Sequence, residues 1–199
     1  MRKFAILVLS VLVLGAIAMA QLEPQHVAAS KTELFVGYSY QYAGTSGSNL
    51  SNLGGIDASS TNLNGFAFDF SRYVHGNLGY MLDYSRGSNR KVDSTGTKYT
   101  RSTYMAGPTY RLHNYQLFTP SVHVLAGMDR DDFTVPNSSG NNSFDLKGTN
   151  FAAAAGVSVD GNLSRHVAIR LAQVDYLYTR NWGTSQTSVR LAAGVVVRF

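Results

Sequence analysis

The chain has no cysteine, and only 4 of its 199 residues are proline. Without a thiol there is no disulfide framework, no thiolate metal site and no lipid-bearing cysteine anchor. Charge is sparse too. Past the first three residues the longest basic run is Arg90-Lys91, which argues against a nucleic-acid-binding stripe. Long apolar runs are missing apart from one at the amino terminus, and no later run could cross a bilayer as a helix.

The exception is Phe4 to Ile17, preceded by Met1-Arg2-Lys3 and followed by Ala18-Met19-Ala20. A basic start, a short apolar stretch and a small-x-small site predict a signal peptide over 1–20, cleaved before Gln21. An uncleaved anchor is the alternative, but the run is short for a spanning helix. Export without disulfides suits a bacterial envelope better than a small secreted scaffold. Loss of Arg2 and Lys3 takes 17 basic residues to 15 against 12 acidic, a net charge of about +3 rather than +5.

What the sequence does have is 19 glycines, 12 tyrosines and 10 phenylalanines, the composition of a β-protein. After a polar lead over 21–32, alternation of period two predicts eight strands. They are Glu33–Ala43, Asn64–Tyr73, Leu78–Ser85, Lys98–Arg111, Leu117–Asp129, Asn150–Asp160, Arg165–Thr179 and Val189–Phe199. In each, one face is Leu, Val, Ala, Phe or Tyr and the other small or polar. In the seventh, Val167, Ile169 and Leu171 have the opposite parity to Val174, Tyr176 and Tyr178, which predicts a β-bulge near Leu171–Gln173.

The connections alternate long, short, long, short, long, short and moderate. The long polar ones are Gly44–Leu63, Arg86–Thr97 and Arg130–Thr149. An even number of antiparallel strands, short turns at one end and long polar loops at the other is the plan of an outer-membrane barrel. A tilted strand needs about 9–11 residues to cross. The expected fold is therefore all-β: an eight-stranded antiparallel up-and-down transmembrane barrel over 33–199.

The inward set contains glycine on seven of eight strands. Its predicted charge network is Glu33, Asp69, Asp83, Arg101, Arg111, Arg170, Asp175, Arg190 and Arg198. A barrel this small has an interior filled by side chains, and acids and arginines confined there should pair, since an unpaired buried charge is costly. Tyr and Trp182 gather toward strand ends, where amphipathic rings favour an interface.

The strings GYSYQY at 37–42, AGPTYRL at 106–112, TPSVHVLAG at 119–127 and AAGVVVRF at 192–199, with the aromatic alternation at 66–70, resemble the small eight-stranded outer-membrane β-barrel family that includes the OmpA-like transmembrane domain. The resemblance covers the mature chain. It implies a bacterial outer-membrane location and contact with outer-membrane lipid and lipopolysaccharide. It also implies assembly by the barrel-assembly machinery through a terminal signal at Phe199, Val197 and Val195. The sequence ends at the barrel, so the cell-wall tethering of full-length OmpA does not carry over.

Some small outer-membrane barrels resemble enzymes acting on lipid A, and five histidines invite that reading. His26 falls in the lead, His75 and His113 at short turns, His166 near one, and His123 inside beside Ser121. No two share a face at metal-ligand spacing. His123 reads as a satisfied lumen residue rather than a base. The N-x-S/T triplets at Asn49, Asn137, Asn141 and Asn162 reflect Ser/Asn-rich loops, and Gly44 opens a loop with no helix after it to cradle phosphate. The expectation is a non-enzymatic protein without cofactor or metal. Its role would be structural, or interaction with an extracellular ligand at the loops. A narrow low-conductance pore is the first alternative, a lipid-A enzyme the second, and a soluble secreted barrel the third.

Overall fold

The structure is a computed structural model that describes residues 30–44, 60–89, 98–112, 117–136, 143–181 and 184–199. The signal peptide expected over 1–20, His26, His113 and Trp182 lie outside them. Among the described residues there are eight strands: β1 (Thr32–Gly44), β2 (Ser60–His75), β3 (Leu78–Asn89), β4 (Lys98–Arg111), β5 (Phe118–Pro136), β6 (Ser143–Asn162), β7 (Val167–Asn181) and β8 (Thr184–Arg198). Each pairs antiparallel with its sequence neighbour, and β8 pairs with β1 to close the barrel. No helix long and apolar enough to cross a membrane occurs among these residues, which leaves crossing by strands untouched.

The alternation read in the sequence sorts the side chains as expected. Val36, Val124 and Leu191 point out and are 57%, 60% and 46% exposed, whereas Arg190 and Asp175 point in and are fully buried. Polarity is thus inverted relative to a water-soluble protein, in which charged residues are almost never fully buried unless paired. The seam between the first and last strands closes to the end of the chain. Phe199 N–H donates to Thr32 O at 2.9 Å, and Thr32 N–H donates to Phe199 O at 3.2 Å. Thr32, expected in the lead, therefore belongs to β1.

The short turn between β2 and β3 is Gly76-Asn77, with Gly76 at φ +56°. A two-residue hairpin that follows strand twist needs such a backbone. The β7 bulge lies where the parity switch put it. Arg170 pairs with Gly194 and Gln173 with Ala192, so β7 spends one more residue than β8 between those points. On the other side Asp160 pairs with Arg170 while Val159 pairs with Ala172. Leu171 is the extra residue. A second irregularity, between Tyr73 and His75 on β2, gave no sequence signal.

Strand lengths correct the expected loops. Arg130–Thr149 is not a loop throughout: β5 runs on to Pro136 and β6 starts at Ser143, paired from Arg130↔Thr149 up to Pro136↔Ser143. The other two long connections also begin or end as strand, at Arg86–Asn89 and at Ser60–Leu63. The stretch expected to lead into the last strand is β8 itself from Thr184. Period two continues into this extension but with the apolar set switched to the other parity, at Phe133 and Val135 and at Phe144 and Leu146, so a reading that follows one apolar face stops at Asp129 and Asn150. Among the described residues β6 pairs with β7 only up to Phe151↔Arg180, so residues 143–150 have a described strand partner along one edge, β5.

Candidate functional site

The interior is the chemically distinctive part of the molecule. Seven carboxylates, five guanidiniums and one imidazole are buried among the described residues. They sit there because odd- or even-numbered positions of each strand all project inward.

At the end where β1 begins and β8 finishes, Glu33 on β1 is the hub. Its Oε1 accepts from Arg198 Nε at 2.7 Å and from Arg111 Nη2 at 2.9 Å. Its Oε2 accepts from Tyr73 OH at 3.3 Å, and the Arg111 guanidinium lies over the Tyr73 ring, 3.7 Å from its centroid. Arg198 also reaches Asp160 Oδ2 at 3.4 Å and donates to Asn162. Asp160 passes the chain to Arg170, whose Nε donates to Asp160 Oδ1 at 2.8 Å. Arg170 Nη1 donates to Asp69 Oδ2 and to Gln173 Oε1, both at 2.7 Å. Its guanidinium covers the Phe35 ring at 4.4 Å.

Gln173 Nε2 donates to Asp175 Oδ2 at 3.1 Å, which also accepts from Arg190 Nε at 2.8 Å. Arg190 starts on β8 and crosses to β3. Its Nη1 and Nη2 donate to Asp83 Oδ1 and Oδ2 at 2.9 and 2.6 Å, a two-pronged pair, and Nη1 also reaches Ser85 Oγ at 2.8 Å. Such bidentate guanidinium–carboxylate pairs are among the stronger hydrogen bonds available. A separate cluster lies toward the long-loop end. Arg101 Nε sits 3.0 Å from Asp131 Oδ1 and 3.1 Å from Asp129 Oδ2, Nη2 donates to Gln186 Oε1 at 2.9 Å, and Tyr99 OH donates to Asp131 at 2.5 Å.

Of the nine residues singled out in the sequence, Glu33, Asp69, Asp83, Arg111, Arg170, Asp175, Arg190 and Arg198 join one continuous chain of contacts, and Arg101 stands apart. Sequence reasoning left Asp129, Asp131, Asp160, Gln173, Tyr73 and Gln186 out of the network. The inward parity of Asp160 was readable, but its place between two arginines depends on the bulge and on strands far apart in sequence.

His123 belongs to the same chain. Its Nε2 lies 2.7 Å from Asp175 Oδ1, and both side chains are buried. In register, His123 and Asp175 flank Gly156 on β6 from opposite sides. A Cβ on Gly156 would fall 2.0 Å from Asp175 Oδ1 and 2.6 Å from His123 Nε2. This glycine is the gap through which two strands' side chains meet across the one between them.

Comparison with solved structures bears on the whole arrangement. The structure of Ail, the attachment invasion locus protein of Yersinia pestis, in complex with the heparin analogue sucrose octasulfate, aligns with a TM-score of 0.60 at 16% identity, covering 84% of this chain and 98% of that one. Neisserial surface protein A aligns at 0.63 and 19% identity, covering 84% and 97%. The outer-membrane protein OprG from Pseudomonas aeruginosa aligns at 0.53 and 10%, covering 89% and 99%. The fold is that of the small eight-stranded outer-membrane barrels. Neither a protein-family model nor a curated protein matches the sequence.

In an outer-membrane barrel fold the exterior matters as much as the lumen. Between Arg72 near one rim and Arg86, Arg130 and Arg180 near the other, no described outward residue is charged. Toward the long-loop end the Tyr84 ring packs against Phe66 at 5.8 Å and Tyr104 at 4.9 Å, and near the opposite end Phe70 packs against Tyr80 at 6.3 Å. These spacings fit favourable edge and offset ring contacts.

Proposed function

We propose that the protein is an integral protein of the bacterial outer membrane, exported by residues 1–20 and built as a closed scaffold that presents its long-loop end to the exterior. The observation that carries this reading is the inversion of polarity: an uncharged apolar wall outside and a paired charge network inside. Exposed apolar patches of this extent are rare on soluble monomers, and girdles of aromatics above and below an apolar band are what two lipid–water interfaces select.

A role in structure or surface interaction fits the lumen better than conduction does. Arg190 spans from β8 to β3 with its side chain fully buried, and Arg170, Arg198 and Arg111 fill the same bore nearer the start of β1. A catalytic role on lipid A has less support. His123 is held by Asp175, and the neighbouring inward hydroxyl, Ser121, is engaged with Ser158 at 2.7 Å. Both lie inside, away from the outer leaflet.

The β5–β6 hairpin supports the interaction role. Residues 143–150 extend about 26 Å along the strand past the described end of β7 and, among the described residues, leave one edge without a strand partner, a form that accepts an added strand from a partner. Ail, which shares the fold, is known in complex with a heparin analogue, which supports a ligand-binding role for this chain. Lipopolysaccharide around the wall and the barrel-assembly machinery acting on Val195, Val197 and Phe199 complete the expected partners.

The test is fractionation of cells making the full chain, with a boiled-versus-unboiled gel shift and planar-bilayer recording on the purified protein. The outer-membrane fraction, a heat-dependent shift and a silent bilayer are expected. A soluble protein would overturn the location. Single-channel steps that change in Arg101→Gln or Arg190→Gln would replace the scaffold reading with a narrow pore.

A further inference from the structure

Near the long-loop end, four outward positions form one row across four strands. Arg86 on β3 pairs with Ser102 on β4, Ser102 with Arg130 on β5, and Arg130 with Thr149 on β6. Neighbouring strands lie about 4.8 Å apart, so the two arginine backbones stand about 10 Å apart with a serine between them.

Burial departs from alternation at this place. Ser102 and Thr100 have outward parity, yet they are 6% and 7% exposed. Exposed Arg86 and Arg130 flank Ser102, and Ser88 and Asp132 flank Thr100. Two hydroxyl side chains are thus sunk in a notch, Ser102 in register between Arg86 and Arg130 and Thr100 between Ser88 and Asp132. Lys98, the next outward residue along β4, is exposed above it. Asp132 is a carboxylate on this wall, 3.7 Å from Arg130 Nε in a pair that is half open to solvent. Arg86 and Lys98 have no ion partner among the described residues.

The rows beneath change character in order. The next row is Tyr84, Tyr104, Met128 and Phe151, and the one after it is Leu82, Ala106, Ala126 and Ala153. Cations with hydroxyls, then aromatic rings, then a smooth aliphatic strip follow one another toward the middle of the wall. A phosphorylated lipid standing in the outer leaflet presents phosphate, polar linkage and acyl chains in the same order. Guanidinium groups suit phosphate oxygens as paired donors. Small side chains on the lower row leave acyl chains a flat track, and the ring row lies at the level where interfacial aromatics are favoured.

We propose that the outer wall of β3–β6 is a binding site for a phosphorylated, multiply acylated glycolipid of the lipid A class. Arg86 and Arg130 clamp phosphate across the Ser102 notch, Lys98 adds a third cation, and the acyl chains lie over Leu82, Ala106, Ala126 and Ala153. This deepens the outer-membrane reading and rests on it.

The experiment uses the full chain folded in detergent micelles, its folded state established by the boiled-versus-unboiled gel shift. It is titrated with lipid A and with the same lipid stripped of phosphate, and bound lipid is counted by native mass spectrometry. The phosphorylated lipid should bind more tightly. Arg86→Gln and Arg130→Gln should each weaken it about fivefold, the effect of one cation at an anionic lipid surface. Arg72→Gln, at the opposite rim, should leave binding unchanged, and millimolar inorganic phosphate should not compete. Equal binding of the two lipids, an equal loss in Arg72→Gln, or displacement by inorganic phosphate would overturn the site. A gel-shifted protein without phosphate preference removes the lipid site alone. A wild-type chain that shows no gel shift and fractionates as soluble removes the outer-membrane reading together with it.

Discussion

Arg190 carries more of the interior than any other single side chain. It neutralises Asp83 and Asp175 at once and reaches Ser85, all at 2.6 to 2.9 Å with no exposure to water. Removing it would leave two buried carboxylates without their cation, whereas the gain from the ion pairs themselves is partly offset by the desolvation that folding imposed on all three groups. Arg190→Met should therefore destabilise the folded barrel by about 3–5 kcal/mol. Arg180→Gln, on the exposed outer rim, should change stability by no more than about 0.5 kcal/mol. Urea unfolding of both variants in lipid vesicles, followed by tryptophan fluorescence and the gel shift, checks the difference. Equal, small effects would mean that the lumen is hydrated enough to screen Asp83 and Asp175. Gly156 matters at the same scale for the opposite reason: its missing side chain is what lets His123 reach Asp175.

Among the elements, β8 bears the closure of the barrel. Every register pair from Glu33↔Arg198 to Gly44↔Thr187 is made between chain ends far apart in sequence, so this seam has the highest contact order in the fold and costs the most loop entropy to form. Phe199 is 66% exposed at its foot, with both backbone groups bonded to Thr32. Phe199→Asp should lower the amount of heat-shiftable protein in the outer membrane several-fold, while a charged substitution at Ser51, in the first long loop, should not. Equal assembly of both variants in a membrane-fraction immunoblot would count against the terminal signal of Val195, Val197 and Phe199.

The strands were legible in the sequence to different degrees, for a physical reason. Where one face meets an apolar medium and the other the lumen, as in Val189–Phe199, alternation marks nearly every residue. The parity break at Leu171 even placed the bulge. Above the apolar band the alternation inverts: Phe133 and Val135, and Phe144 and Leu146, fall at the parity that is inward below, so Arg130–Pro136 and Ser143–Thr149 read as loop although they pair residue for residue. Which charges lie inside was likewise readable from parity. Which charges meet was not, because Arg190 and Asp83 are 107 residues apart and come together only when the sheet curls shut.

At the scale of the whole molecule, the account turns on one property: adjacent residues along a strand face different media. The absence of cysteine makes this directly measurable, since a single introduced thiol is the only label site. Along β5, His123 and Leu125 point inward and are buried, while Val124 and Ala126 point outward and are exposed. The decisive measurement places one cysteine at a time at positions 123 to 126 in protein folded into vesicles, labels each with a small fluorophore, and records quenching by brominated acyl chains. Strong quenching at Val124→Cys and Ala126→Cys, with weak quenching at His123→Cys and Leu125→Cys, is the predicted result. Uniform quenching at all four positions, or none at any, would contradict a barrel that faces lipid outside and a paired charge network within.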